Sequence, residues 1–348
     1  MSEMLKSLSE VADILSAAES VLILTHTRPD ADTLGCAAAL REMLISLEKK
    51  CEIANDDIIP KRLKFIFEKN ASDEFDLGIE RLDGFTPDIV VSVDVSAPGL
   101  LGKLEEKYAT RTALAIDHHI LGTPFAEKTY TEPLGACGEI IFDLAGEFEK
   151  RGRKTLDRTA AVALYAAILS DTGSFKFESV TPQTHIRVAS LLEYGFDHSE
   201  VARRLYDSKP ISQIIATKVA LNNLHFYNEN RVAVINFTNK MRLENGLSRE
   251  DIDDIISITR SVEGVEIGVT VKQSDDDPTL FKVSMRSNRI ADASKLCAKF
   301  GGGGHKRAAG CTLTAANEYD AEAKLIEEIN KELSNLDASG AFESAGAI

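Results

Sequence analysis

The chain has no run of basic residues from which to build a broad cationic face, and its formal net charge is −15. A protein that tracks a nucleic-acid duplex presents such a face and releases counterions as it binds phosphates. Duplex DNA is therefore excluded as a partner, and a phosphorylated substrate is expected to be small or short and held by a few local cations. No apolar run approaches the ~20 residues that span a bilayer, and the opening MSEMLKSLSE lacks the charged-then-apolar pattern of a secretory signal. No membrane partner is expected, and the location expected is cytoplasmic. Cysteine is sparse: Cys36, Cys51, Cys137, Cys297 and Cys311 are odd in number and include no CxxC pair. That pattern argues against a disulfide framework and against a zinc site, leaving reduced core thiols.

What is present is a repeated chemical group. HTRPDAD (His26 to Asp32), VDVS around Asp94, DHH (Asp117 to His119) and SDTGSF around Asp171 supply imidazole and carboxylate together. They suffice to hold two divalent ions ~3.5–4 Å apart, the arrangement that hydrolyses phosphate esters. VLILT runs into His26, IVVSV into Asp94 and TALAI into Asp117, and each run reads as a buried strand. Strands separated by helical segments imply a parallel sheet, which binds ligands beyond the carboxyl ends of its strands. Four carboxylates of the negative excess, on Asp30, Asp32, Asp94 and Asp171, are ones that two divalent ions would cancel. Taken singly, an Asp at a strand end is as readily a helix cap or turn residue. Sharing one sheet edge, the set points to a metal site.

At 348 residues, with 44% hydrophobic content, the chain suits two domains. The fold class expected is α/β: a doubly wound parallel sheet, followed by a smaller mixed-sheet α/β domain. The expected division is a catalytic, metal-binding domain over 1–190, a helical linker over 191–223, a substrate-binding domain over 224–335 and a flexible tail over 336–348. Helices are expected through SEVADILSAAES, from about 32 to 48, near 136–151 and 156–170, and from Thr181, as N-cap, to Gly195. The segment 56–87 gives no clear pattern beyond a helical PKRLKFIFEK. RVAVINF, VEIGVTVKQ and LFKVSMRS alternate like strands and lead to a short helix and the glycine loop GGGGHKRAAG.

The motif order, with the late Arg286–Ser287 pair and GGGGH, resembles the DHH phosphoesterase family with its C-terminal DHHA1 domain, from about Val21 to about Leu313. It is most similar to the short members that join oligoribonuclease to phosphoadenosine-phosphate phosphatase activity. The resemblance implies that His26 and Asp30 bind one ion, that Asp32, His118 and Asp171 complete a second site, and that Asp94 bridges both. His119 would face the scissile phosphate or the leaving oxygen, and Asp117 would orient the ligand shell or act as a plain cap. Arg286, Ser287, Gly302, Gly303, Gly304 and His305 would bind substrate across a cleft. Imidazole and carboxylate without thiolate favour two manganese ions over zinc, with magnesium or cobalt as substitutes.

The implied substrates are short RNA attacked from the 3′ end, 3′-phosphoadenosine 5′-phosphate (pAp), and the dinucleotide pApA or cyclic di-AMP; a homodimer stays open. The rivals are a RecJ-like single-strand exonuclease, disfavoured by length and acidity, a family II pyrophosphatase, which lacks GGGGH, and a catalytically silent nucleotide-sensing module. Cys137 stands where many relatives carry Ser or Thr. His185, His198 and His225 fit no cluster, whereas Phe125, Glu139 and Phe175 sit near motifs and are candidates for packing the site.

Overall fold

A computed structural model describes residues 2–70 and 77–339 of the chain. They fall into two compact units, Met1–Ser208 and Lys209–Ile348. The segment 191–223, expected as a linker, is divided between them: the helix His198–Ala202 and the π-helical turn Arg203–Asp207 belong to the first, and the helix Ile211–Asn222 to the second.

The first unit is built on a parallel six-stranded sheet of β1 (Glu3–Met4), β2 (Ser20–Leu24), β3 (Lys50–Ala54), β4 (Ile89–Val93), β5 (Thr112–Asp117) and β6 (Lys128–Thr131), in the order β1-β6-β5-β4-β2-β3. Its strands bury both faces, so they carry continuous apolar runs rather than alternation. Along β2, Val21 and Ile23 enter one core with the helices Leu8–Ala17, Ala31–Ser46, Cys137–Lys150 and Arg158–Asp171, while Leu22 and Leu24 enter another with Leu101, Leu104 and Tyr108. From β2 the chain moves outward to β3, and from β4 it moves the other way to β5 and β6. The order therefore reverses between β2 and β4, which is where an open α/β sheet leaves a crevice at its carboxyl edge.

Two alanine-rich helices fix one wall of that crevice. Ala31–Ser46 and Arg158–Asp171 are buried almost all round, and a Cβ on Gly35 would lie 2.4 Å from the Ala163 carbonyl oxygen and 2.9 Å from Ala167 Cβ. The absence of a side chain at Gly35 lets the helix axes approach, which brings Asp32, in the first turn of one helix, near Asp171, the last residue of the other. PKRLKFIFEK forms the 3-10 helix Lys61–Asn70, bent at Phe67; residues 71–76 lie outside the described residues.

The second unit has a mixed sheet of β7 (Leu224–Tyr227), β8 (Val232–Phe237), β9 (Ile267–Gln273), β10 (Leu280–Ser287), β11 (Gly303–His305) and β12 (Ala308–Thr314), ordered β11-β12-β10-β9-β8-β7. Only β8 and β9 run parallel. The terminal helix Glu318–Ala338 packs Leu325, Ile329 and Leu333 on one face, and Ile211–Asn222 packs Ala216, Val219 and Ala220 against Ile235 and Phe237 on the other. The expected tail thus begins inside that helix, and residues 340–348 lie outside the described residues. The glycine stretch, expected as a loop, is in part a strand: Gly303, Gly304 and His305 pair with Gly310, Ala309 and Ala308. Among the described residues no helix is long and apolar enough to cross a membrane.

Candidate metal centre

The loop that leaves β2 is pinned by a residue at the end of β3. The buried Asn55 amide donates to Thr25 Oγ1 at 2.6 Å and to the His26 carbonyl at 2.8 Å, which fixes the His26 backbone. Asp30 then caps the helix Ala31–Ser46, its Oδ1 accepting the N–H groups of Asp32 and Thr33. The cap role and the ligand position coexist, because the same carboxylate oxygen lies 3.6 Å from His26 Nε2. Asp94 follows β4 with φ +57°, a left-handed conformation that Asp and Asn tolerate better than most residues. It is 3% exposed.

Asp94 divides its two oxygens. Oδ2 lies 3.6 Å from His26 Nε2, and Oδ1 lies 3.5 Å from His118 Nε2. His118 Nε2 in turn stands 3.4 Å from Asp171 Oδ2 and 3.9 Å from Asp32 Oδ2. The structure thus brings together all six residues read as ligands, in two groups, His26–Asp30–Asp94 and Asp32–His118–Asp171. Donor atoms about 2.1 Å from a common ion at tetrahedral to octahedral angles stand about 3.0–3.4 Å apart, so the spacing is close to what a bound ion would draw in.

Several features indicate that a divalent cation fits here. Asp94 Oδ1 is buried without a hydrogen-bond partner, a costly state for an acceptor unless something occupies the space before it. Asp171 ends its helix at the negative pole of the macrodipole, where a carboxylate is disfavoured and a cation favoured. Burial, and then the Asp94 charge, push the Asp171 carboxyl up to about 6. Burial also raises Asp94, against the pull of His26, and raises Asp32 well above the carboxylate range, with Asp94 and Asp171 adding to it. His26 behaves in the opposite sense. Burial works to lower it, but its contacts with Asp30 and Asp94 outweigh burial and push it up to about 10.

Asp32 has a support that the sequence did not reveal. Its carboxylate is fully buried and receives the Cys137 and Gly138 N–H groups at 2.7 and 2.9 Å, from the first turn of Cys137–Lys150, and the Cys36 thiol at 3.3 Å. A helix N-terminus aimed at a carboxylate supplies free donors and the positive end of a dipole. A Cβ at position 138 would meet Ala167 at 2.8 Å, so the glycine in GACGE was the available signal. At position 137 the backbone makes the contact, so the support of Asp32 does not depend on the side chain there.

Of the two roles expected for Asp117, the cap is seen, together with a contact to the His119 ring in place of one to the His118 ring. Asp117 Oδ1 accepts the backbone N–H groups of His118 and His119 and sits 2.8 Å from His119 Nδ1. His118, read as a ligand, instead places its Nδ1 3.0 Å from the Leu134 carbonyl oxygen. Asp117 therefore orients His119 rather than the His118 ring, because an i, i+2 return brings its carboxylate under the next ring and not the intervening one. The Asp117 contact raises the His119 pKa, and its side chain is half exposed.

Of the neighbouring residues, Glu139 is buried and pairs with Arg187 at 2.7 Å, while Phe125 and Phe175 pack into the two cores. His185, His198 and His225 lie apart from the cluster, beside Phe175, Tyr165 and Glu322 respectively.

In the second unit, Arg286 and His305 both register against Ala308 of the strand between them. Cross-strand partners share a sheet face, so Arg286 and His305 stand on the face of Ala308, their Cα atoms about 10 Å apart at the usual strand spacing. Ser287 is buried and donates to the Lys306 carbonyl at 3.0 Å, a structural role. A Cβ on Gly302 or Gly304 would collide with the Gly310 or Ala308 carbonyl, whereas at Gly303 nothing lies within 4 Å. Gly303 is thus the glycine of the three that packing does not demand.

The raised carboxyls give the stability of metal-free protein a pH dependence. A carboxyl whose folded pKa exceeds its unfolded value binds more protons when folded, so stability falls as pH rises from about 4 toward the folded value. For Asp171 that window closes near 6. His26 adds no slope there, since it is protonated in both states below about 6.5. In chelator, Asp171→Asn should melt level with wild type at pH 4.5 and about 2–4 °C higher at pH 7. A variant less stable than wild type at pH 7 would show that the Asp171 charge is stabilising without a cation.

Models of two families match the sequence: one described as DHH family, N-terminal domain, over residues 20–168, and one described as DHHA1 domain, over residues 230–335. The bifunctional oligoribonuclease and PAP phosphatase NrnA of Thermus thermophilus is 29% identical, over 93% of this chain and 93% of its own length. The protein of the same name from Bacillus subtilis is 26% identical, over 93% and 99%. Among solved structures, an exopolyphosphatase-related protein from Bacteroides fragilis shares the fold, with a TM-score of 0.81 over 94% of this chain and 96% of its own at 21% identity.

Proposed function

The chain belongs to the DHH family and carries its DHHA1 domain, and on that premise we propose that this hydrolase is a manganese-dependent phosphoesterase that shortens very small oligoribonucleotides from the 3′ end and removes the 3′-phosphate of pAp. Linear pApA falls within the same substrate class. The observation that carries the chemistry is Asp94, whose two oxygens address two separate imidazole–carboxylate groups while Oδ1 lacks any hydrogen-bond partner. The substrate class is supported by relatives that match over nearly the whole of both chains.

His26, Asp30 and Asp94 would hold one ion, and Asp32, His118, Asp171 and Asp94 the other. When bound, such a pair supplies Lewis acidity toward the phosphoryl oxygens and an activated water. The ligand groups contain imidazole and carboxylate and no thiolate among the described residues, which supports manganese over zinc. Asn55, Leu134 and the Cys137 turn keep the ligands in place before substrate arrives, so little reorganisation is left to the reaction. His119, held by Asp117 at Nδ1, presents its other nitrogen to the leaving oxygen. Arg286 and His305, with the open backbone at Gly303, add affinity for a phosphate or sugar that does not react. The complete ligand set argues against a silent sensing module.

A screen in manganese of pAp, pApA, cyclic di-AMP and RNA from dimer to about 24 nucleotides tests this reading. Dimers to pentamers and pAp should exceed the longest RNA in kcat/KM by about tenfold or more, equivalent to about 1.4 kcal/mol. Steady degradation of the longest RNA at the dimer rate would favour a RecJ-like exonuclease. Absence of turnover with every nucleotide would sink the proposal.

A further inference from the structure

In a chain with a net charge of −15, one concavity of the first unit is lined by Lys61, Arg62, Lys64, Arg203 and Arg204 and encloses about 310 Å³. The helix Lys61–Asn70 forms one wall and the turn Arg203–Asp207 the other. The two stretches are far apart in sequence, so no basic run announces the cluster.

Among the described residues the local acids do not cancel it. Glu200 takes Arg203 through Nε and Nη2 and Arg204 through Nε, and Asp207 lies in the same turn. Among the described residues, Lys61 and Arg62 have no ion-pair partner. Arg204 also lies over the buried Phe65 ring at 5.4 Å from its centroid, which braces the guanidinium against an apolar floor. A solvated charged face would be convex and balanced in sign. This one is concave and cationic.

Its position relative to the metal centre is fixed by Tyr206. From the same turn, the Tyr206 hydroxyl donates to the Leu169 carbonyl at 2.7 Å and reaches Ser170 O at 3.5 Å, immediately before Asp171. The cationic wall is therefore tied to the last turn of the helix that delivers a ligand.

We infer that this pocket is a phosphate subsite for the body of an oligoribonucleotide substrate, taking one nucleotide unit beyond the two that flank the reacting phosphate. The inference rests on the reading of the chain as a nucleotide phosphoesterase. A volume near the lower end of small-molecule pockets admits about one nucleotide. Exposed Arg planes bind phosphate bidentately and stack on bases without reading sequence. The subsite rewards substrates long enough to reach it, and a dinucleotide gains little from it.

The test compares wild type with Lys61→Ala/Arg62→Ala and with the charge-reversed Lys61→Glu/Arg62→Glu, each checked for an unchanged melting temperature. KM for an RNA pentamer should rise about tenfold or more with kcat nearly constant, against a change of about threefold or less for pApA. The salt dependence of log kcat/KM for the pentamer should flatten by about 0.7 for each phosphate that the variant no longer neutralises. Parallel changes for pentamer and pApA, or none in either, overturn the subsite. Binding of a fluorescein-labelled RNA pentamer to metal-free protein needs no turnover and separates the two readings. Weaker pentamer binding by the variants would keep the subsite even if the catalytic reading failed, and equal binding would remove it even if wild type were active.

Discussion

Asp94→Asn is expected to lower turnover of every substrate by about three orders of magnitude or more, some 4 kcal/mol at 1.36 kcal/mol per decade. It should weaken both ions together. The reason is geometric: Oδ2 belongs to the His26 group and Oδ1 to the His118 group, so a single substitution would enter the shells of both proposed ions. Asn is the informative replacement because the residue sits at φ +57°, where Ala would add backbone strain to the loss of a ligand.

Metal-free Asp94→Asn should melt no lower than metal-free wild type, since burial already raises the Asp94 carboxyl and disfavours its charge. A large loss of activity without a loss of metal-free stability is therefore the signature of the assignment. Calorimetry that finds two manganese ions bound to the variant with wild-type affinity would exclude Asp94 as the bridge.

The proposed centre was legible because the residues read as its ligands follow buried parallel strands, and continuous apolar runs make such strand ends conspicuous. VLILT and IVVSV run directly into His26 and Asp94, and TALAI into Asp117, one residue before His118. What holds the ligands was not legible. The N–H groups that receive Asp32 come from residues 137 and 138, and donation from a helix N-terminus uses no side chain that a motif could register. β3 was missed because KCEIA mixes charge into a short edge strand, and β11 because glycines carry no apolar alternation. The triplet DHH names its residues without saying which ring Asp117 serves. Only the turn geometry, with Leu134 taking the His118 ring, decides that. Lys61 and Arg62 stand far from Arg203 and Arg204 in the sequence, and only the fold places the four around one concavity.

His119→Ala should lower kcat/KM for pApA and pAp by about 10²–10³, within the range for loss of a positioned general acid, and bis-p-nitrophenyl phosphate hydrolysis by less than about tenfold. A ribose oxygen needs a proton as it departs, whereas nitrophenolate leaves unaided, so the ratio between substrates isolates proton donation from every other effect. Asp117 supports this role by raising the His119 pKa and keeping Nδ1 occupied. A general acid works while protonated, and its rate falls as pH rises through its pKa. In Asp117→Asn that pKa drops toward the ordinary histidine value, so the alkaline fall in kcat should begin at lower pH.

The competing role is metal ligation, because His119 Nδ1 also lies 3.6 Å from Asp94 Oδ1 and these two form a group with His118. The shorter contact, 2.8 Å to Asp117, commits Nδ1 elsewhere. His119→Ala should accordingly keep both manganese ions. If it loses an ion, or if nitrophenyl ester and nucleotide fall by the same factor, His119 acts on the metal shell or the phosphoryl group and not on the leaving oxygen.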